Sequence, residues 1–207
     1  MGYALLQRQS LTPRQPIAIL ENVILPDLVN LLSAYKLDSL WAIDIETNGL
    51  DAADPACFPV GIGFADHDGC FYVDLQSADD RARSYIKFYL LNATRLVAFN
   101  NFFDGAFLQP WIGLPLQFEG DAYALFKQLS GEGWSGQKWG LGAAITDVLG
   151  WPVSSKATLE TALKERGLPK SEMWRLPVSV LGPYCAHDAE ATYQLWTYLY
   201  ERANQLP

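Results

Sequence analysis

Carboxylates sit in three short stretches whose other residues are mostly apolar. The first is Trp41-Ala42-Ile43-Asp44-Ile45-Glu46-Thr47. An apolar run without helical period reads as a buried strand, and on a strand Asp44 and Glu46, two apart, share one face. Like charges that close raise each other's pKa unless a cation lies between them. A divalent ion relieves that repulsion, and hard oxygen donors suit magnesium or manganese. The plain alternative is a strand end opening into solvent with both acids hydrated.

The second stretch is Leu96-Val97-Ala98-Phe99-Asn100-Asn101-Phe102-Phe103-Asp104, an apolar strand that stops at Asn, with Asp104 near the start of a helix. Either Asn100 or Asn101 caps that helix and Asp104 complements its dipole, or Asp104 is a third metal-facing carboxylate. In the third stretch, Pro183-Tyr184-Cys185-Ala186-His187-Asp188, Tyr184 and Asp188 are four apart and share a helix face. Because the helix continues apolar and aromatic through Trp196 and Leu199, Asp188 needs a capping role or a partner.

The elements around these stretches suggest how they are positioned. The spacing predicts an amphipathic helix over Ile24–Leu37, strands over Leu40–Ile45, Val60–Ala65, Cys70–Leu75 and Leu96–Phe99, and a hairpin turn at Asp66–Gly69. It also predicts helices over Asp79–Leu91 and Phe103–Trp111, one after Gly120, two between Gly136 and Arg166, and a last from about Gly182 to Ala203. Strands that pair early and then alternate with helices indicate an α/β fold, a mixed central sheet with helices on both faces. The chain divides into a 1–37 N-terminal extension with a short helix and a 38–207 domain.

The 207 residues are half apolar and 13% aromatic, which excludes a disordered chain. No apolar run approaches the ~20 residues of a membrane span, the N-terminus lacks a signal-peptide pattern, and Leu6 stands where myristoylation wants Ser or Thr. Three widely spaced cysteines, Cys57, Cys70 and Cys185, make no disulfide framework or CxxC site and suit a reducing compartment. The expectation is a soluble cytoplasmic protein with no membrane partner. A net charge of −8 argues against nucleic acid at first sight, but Lys127–Arg175 holds seven basic and five acidic residues, so it carries +2 and the rest −10.

Asp44-Ile45-Glu46-Thr47, Asn100-x-x-x-Asp104 and Tyr184-x-x-x-Asp188, in that order, resemble the three exonuclease motifs of the DEDD superfamily. The Tyr four before the last Asp is similar to the DEDDy branch; the branch with a catalytic His places it five before that Asp, where this chain has Pro183. Met173-Trp174-Arg175-Leu176-Pro177, followed by Leu181-Gly182-Pro183-Tyr184, resembles the proofreading domains of bacteriophage-type family A DNA polymerases. The resemblance covers roughly Asp38 to Ala203. Phe99 departs from it, since many relatives have His before the Asn.

The resemblance implies a ribonuclease H-like fold and a 3'-5' exonuclease that releases nucleoside 5'-monophosphates with two divalent metal ions, Mg2+ or Mn2+. By motif, Asp44 would bridge both ions, Glu46 and Asp188 would complete the first site, and Asp104 would hold the second through water. Tyr184 would orient the attacking water. Thr47 would bond the 3' hydroxyl, Leu50 would wedge against the last base, and Asn100 would contact the terminal sugar or phosphate or else cap its helix. Phe102 or Phe103 would stack a base or join the core, and Lys138 and Lys156 would flank the strand's path. Two metals supply a local positive field that an acidic chain lacks.

The expected substrate is the 3' end of single-stranded DNA, in a bacterial or phage-infected cell. The alternatives are RNA trimming by an enzyme of the same branch, or a binding module that keeps the fold without the chemistry. No polymerase region follows the third motif, so the expectation is a stand-alone exonuclease or a proofreading subunit beside a separate DNA polymerase.

Overall fold

Alternation along Leu40–Thr47 sends Trp41, Ile43 and Ile45 to one face and Ala42, Asp44 and Glu46 to the other. The computed structural model, which describes residues 12–33, 36–130, 139–151 and 154–205, builds the fold around that strand. Strands β1 (Ala18–Leu20), β2 (Leu40–Thr47), β3 (Pro59–Ala65), β4 (Cys70–Asp74), β5 (Arg95–Ala98) and β6 (Gly120–Asp121) form one mixed sheet in the order β1-β4-β3-β2-β5-β6. The pairs β2/β3 and β3/β4 are antiparallel; β1/β4, β2/β5 and β5/β6 are parallel.

Helices cover both faces. Trp41, Ile43 and Ile45 pack beneath α1 (Leu25–Leu32), α2 (Asp80–Asn92) and α3 (Asn101–Ile112). Trp41 anchors this layer, edge-on to Phe64, Phe71 and Tyr89 at ring separations of 6.1, 6.2 and 5.4 Å. On the other face Ala42 and Val97 pack under α4 (Ala122–Ser130) and α7 (Val178–Ala203). Between these two helices come α5 (Leu141–Ala144), a π-helical stretch Ile145–Leu149, α6 (Ser154–Arg166) and a 3-10 turn Lys170–Arg175. This is the α/β ribonuclease H-like architecture with a mixed sheet that the motifs imply. Among the described residues, no helix is long and apolar enough to cross a membrane.

Most predicted elements occur within a few residues of their expected ends, and several features differ, among them β6, a two-residue strand where the sequence reading has none. Residues 18–20 form an edge strand along β4, where the sequence reading has none. The first helix stops at Leu32 rather than Leu37. The last helix begins at Val178 and runs through Gly182-Pro183, which the sequence presents as a start. Pro183 is the sixth residue of this helix, past the first four whose N–H groups have no helical partner, so the helix continues there without a bond to the Ser179 carbonyl. Gly182 lets the helix lie close, since a Cβ there would stand 2.7 Å from Ile19 and 2.9 Å from Tyr72.

Candidate active site

The carboxylate-bearing face of β2 lies under α7. In the antiparallel ladder Asp44 pairs with Gly63 and Glu46 with Gly61. A Cβ on Gly63 would lie 2.5 Å from the carbonyl oxygen of Cys185, so that glycine is what allows α7 to cross β3 directly beside Asp44. The crossing puts Cys185 over the strand, its thiol 3.4 Å from the Asp44 carbonyl. Tyr184 and Asp188, one turn apart, face the same space, and the Tyr184 hydroxyl donates to the Asp188 carboxylate.

Asp104 arrives from the opposite layer. Chain direction reverses between β5 and α3 at Asn100, which adopts a left-handed conformation (φ 68°), one that Asn tolerates better than most residues. The Asn100 side chain makes no capping bond; its backbone N–H donates to Asp121 Oδ1 at 2.9 Å. This turn seats Asp104 in the first turn of α3, buried, with the backbone N–H of Ile45 directed at its carboxylate.

The four acids act on one another. Burial is the main cause that drives Asp44 well above the ordinary carboxylate range, and Asp188, Glu46 and Asp104 push it further, against a hydrogen bond from the Cys185 thiol. Burial and then Asp188 raise Glu46 to about 8, with Lys170 opposing and Asp104 adding. Burial raises Asp104 to about 8, partly offset by its own and the Ile45 backbone N–H groups. Tyr184 is pushed up by burial and by Asp188, Glu46 and Asp44, so its hydroxyl keeps its proton. Carboxylates enclosed this closely, with one lysine facing Glu46, fit divalent cations held by oxygen: a cation would cancel the repulsion and offset the desolvation.

The structure therefore brings Asp44, Glu46, Asp104, Asp188 and Tyr184 together. Thr47 lies at the bulged end of β2, its hydroxyl donating to the Gly49 carbonyl; Leu50 beyond it is 81% exposed, and Asn100 is exposed. Phe102 projects into solvent, whereas Phe103 packs on Phe107 and the core. A cleft of about 240 Å³ beside Tyr184 and Asp188 is also lined by Lys156, Lys170 and His187. Lys138 lies outside the described residues.

Sequence reasoning passed over Lys170 and Cys185. Lys170 stands in the 3-10 turn, and no spacing rule links it to Glu46, 124 residues earlier. Cys185 has a local signal, the residue between Tyr184 and the turn that ends at Asp188, but it reads as a buried small residue until α7 is laid on β2. The Met173-Trp174 stretch has a clear structural part: with Leu159, Leu176 and Val60 it forms the apolar cluster against which the Tyr184 ring rests.

The 3'-5' exonuclease family model matches residues 16–204. The chain belongs to the 3'-5' exonuclease family. Several solved structures share its fold. Brucella melitensis NrnC with bound Mg2+ is 20% identical, with 84% of this chain and 77% of that chain covered and a TM-score of 0.62. Trypanosoma brucei RNase D in complex with RNA U12 is 17% identical, covering 94% and 63%, at 0.61. The POL domain of Pol1 from M. smegmatis, in complex with DNA primer-template and dNTP, is 12% identical, covering 96% and 28%, at 0.56. This exonuclease thus spans under a third of the Pol1 chain and under two thirds of the RNase D chain. No curated protein sequence matches it.

Proposed function

We propose that this exonuclease is of the DEDDy type and removes nucleoside 5'-monophosphates from the 3' end of single-stranded DNA. The observation that carries the reading is the convergence of four carboxylates with a tyrosine hydrogen-bonded to the last of them. Asp44, Glu46 and Asp188 would hold one divalent ion and Asp44 and Asp104 a second, Mg2+ being the natural choice for oxygen donors. Such a pair of ions supplies a nucleophile at neutral pH and stabilises the leaving 3' oxygen.

The chain's own groups do the positioning. Tyr184 Oη keeps its proton and, braced by the Trp174 cluster and by Asp188, can orient the attacking water by hydrogen bonding without acting as a base. Thr47 and Asn100 border the site for the terminal nucleotide, and exposed Leu50 and Phe102 offer apolar surface for its base. Lys156 and Lys170 line the cleft where an anionic strand must approach. DNA is favoured by the likeness of Met173–Tyr184 to phage-type proofreading domains. The second reading, RNA, is favoured by the fold shared with RNase D in complex with RNA. A DNA polymerase is the partner that a proofreading role requires.

A time course on 5'-labelled DNA and RNA of one sequence, with magnesium, manganese or chelator, tests this. A metal-dependent DNA ladder shortening from the 3' end is expected; faster shortening of the RNA would transfer the assignment to RNA. Tyr184→Phe should slow the DNA reaction about 10- to 100-fold, since it removes orientation and leaves the carboxylates in place. A loss as deep as that of a carboxylate variant would overturn the orienting role.

The raised carboxyls also predict a pH dependence. Glu46 and Asp104, each pushed up to about 8 in the fold, retain protons there that the unfolded chain releases near the ordinary carboxylate range. Their contribution to stability is complete at low pH and is lost as pH rises through about 8. In chelator, Tm should fall between about pH 5 and pH 8, and magnesium should flatten that slope. A chelated protein with constant Tm over this range would show that the carboxyls are not mutually strained.

A further inference from the structure

Cys185 has no part in the chemistry above, yet its sulfur lies among the acids. One oxygen each of Asp44 and Glu46 and the Cys185 Sγ all lie within 4.8 Å of one another. Glu46 is 93% buried, only 7% of it being exposed, and no described residue donates a hydrogen bond to its carboxylate. Asp188 stands close enough to bear on all three groups.

We infer that Asp44, Glu46 and Cys185 form a binding site for a thiophilic divalent cation, zinc foremost, which competes with the oxygen-only magnesium arrangement for the same carboxylates. Tetrahedral zinc with bonds of about 2.0–2.3 Å holds its ligand atoms about 3.3–3.8 Å apart. The three atoms therefore need to close by about 1.5 Å at most, within reach of side-chain rotations. Thiolate selects zinc over magnesium, which takes oxygen ligands and an octahedral shell. When zinc binds, the metal–sulfur bond replaces the S–H bond and the thiol proton passes to solvent. Zinc held this way occupies the Asp44 and Glu46 oxygens and blocks the exonuclease.

The inference rests on the reading of Asp44 and Glu46 as metal-holding carboxylates, and its test is independent of catalysis. Cadmium serves as a spectroscopic stand-in for zinc, since its bond to thiolate gives an ultraviolet charge-transfer band. Titration of the full chain, without nucleic acid, should give that band at one cadmium per protein. It should be absent in Cys185→Ser and Cys185→Ala and retained in Cys57→Ser and Cys70→Ser, with folding of each variant checked by circular dichroism. Zinc affinity by calorimetry should fall at least about 100-fold in Cys185→Ser and in Asp44→Asn. A band that survives in both Cys185 variants, no band in the parent protein, or an unchanged zinc affinity in Asp44→Asn would overturn the site. A band that behaves as expected in a protein that cleaves neither nucleic acid would leave this site standing and sink the exonuclease assignment of the carboxylates instead.

Discussion

Asp44→Ala is expected to lower the rate of 3'-end cleavage by at least about 10⁴-fold, equivalent to about 5.5 kcal/mol of transition-state stabilisation, while strand binding changes little. The size follows from where Asp44 stands. Of the four acids it is the one on which Asp188, Glu46 and Asp104 all bear, so it is the group able to serve both ions. Loss of Glu46 or Asp104 removes one side of the arrangement, whereas loss of Asp44 removes its middle. The proposed reading puts strand binding instead on the exposed apolar residues and on the lysines of the cleft, none of which touches Asp44 through a described hydrogen bond.

Removing the Asp44 charge has an opposite effect on the metal-free fold. Asp44 is held well above its ordinary range mainly by burial and then by its neighbours, so at neutral pH its ionised form opposes folding. Asp44→Asn should raise Tm in chelator and lose the further rise that magnesium gives the parent. Single-turnover cleavage and filter binding on Asp44→Ala and melting curves on Asp44→Asn separate these effects. Full cleavage by Asp44→Ala would end the two-metal assignment, and a fall of Tm in chelated Asp44→Asn would end the account of mutual repulsion.

How legible the site was depended on whether its parts are local. Asp44 and Glu46 show themselves because strand periodicity is short-range, and Tyr184 and Asp188 because a helical turn is. Asp104 follows from an apolar run stopping at Asn, although the left-handed turn at Asn100 that seats it is set by the meeting of β5 and α3. Pairings made over long sequence distances were not legible. Strand β1 is three residues long and exists by lying along β4, some fifty residues later; β6 is two residues long and exists by lying along β5. Short edge strands of this kind carry too few residues for any period to register. Lys170 facing Glu46 and Cys185 over Asp44 belong to the same class, since they appear only once α7 and the 3-10 turn are placed against β2.

The most distant of these pairings has the second large expected effect. Glu190 is fully buried on α7, two residues beyond Asp188, and its cation comes from the opposite end of the sequence. Arg14 Nε donates to Glu190 Oε1 at 2.7 Å and its Nη2 to Oε2, a bidentate pair; Nη1 donates to the His67 carbonyl at 2.6 Å and Nη2 also to that of Asp66. The guanidinium lies 5.5 Å from the centre of the Tyr193 ring. One side chain thus ties the N-terminal segment and the β3–β4 turn to the helix that carries Tyr184 and Asp188. Arg14→Ala leaves the Glu190 carboxylate buried without its cation, with only a side-chain bond from Gln194 described, and should cost about 3–5 kcal/mol in denaturant unfolding. Glu190→Gln should cost less, because it removes the stranded charge together with the partner. In the double variant Arg14→Ala/Glu190→Gln most of the Arg14→Ala loss should be recovered, since the penalty lies in the uncompensated charge more than in the missing contact. If the double variant were as unstable as the sum of the two single changes, the pair would be acting through packing alone, and the charge argument would fail.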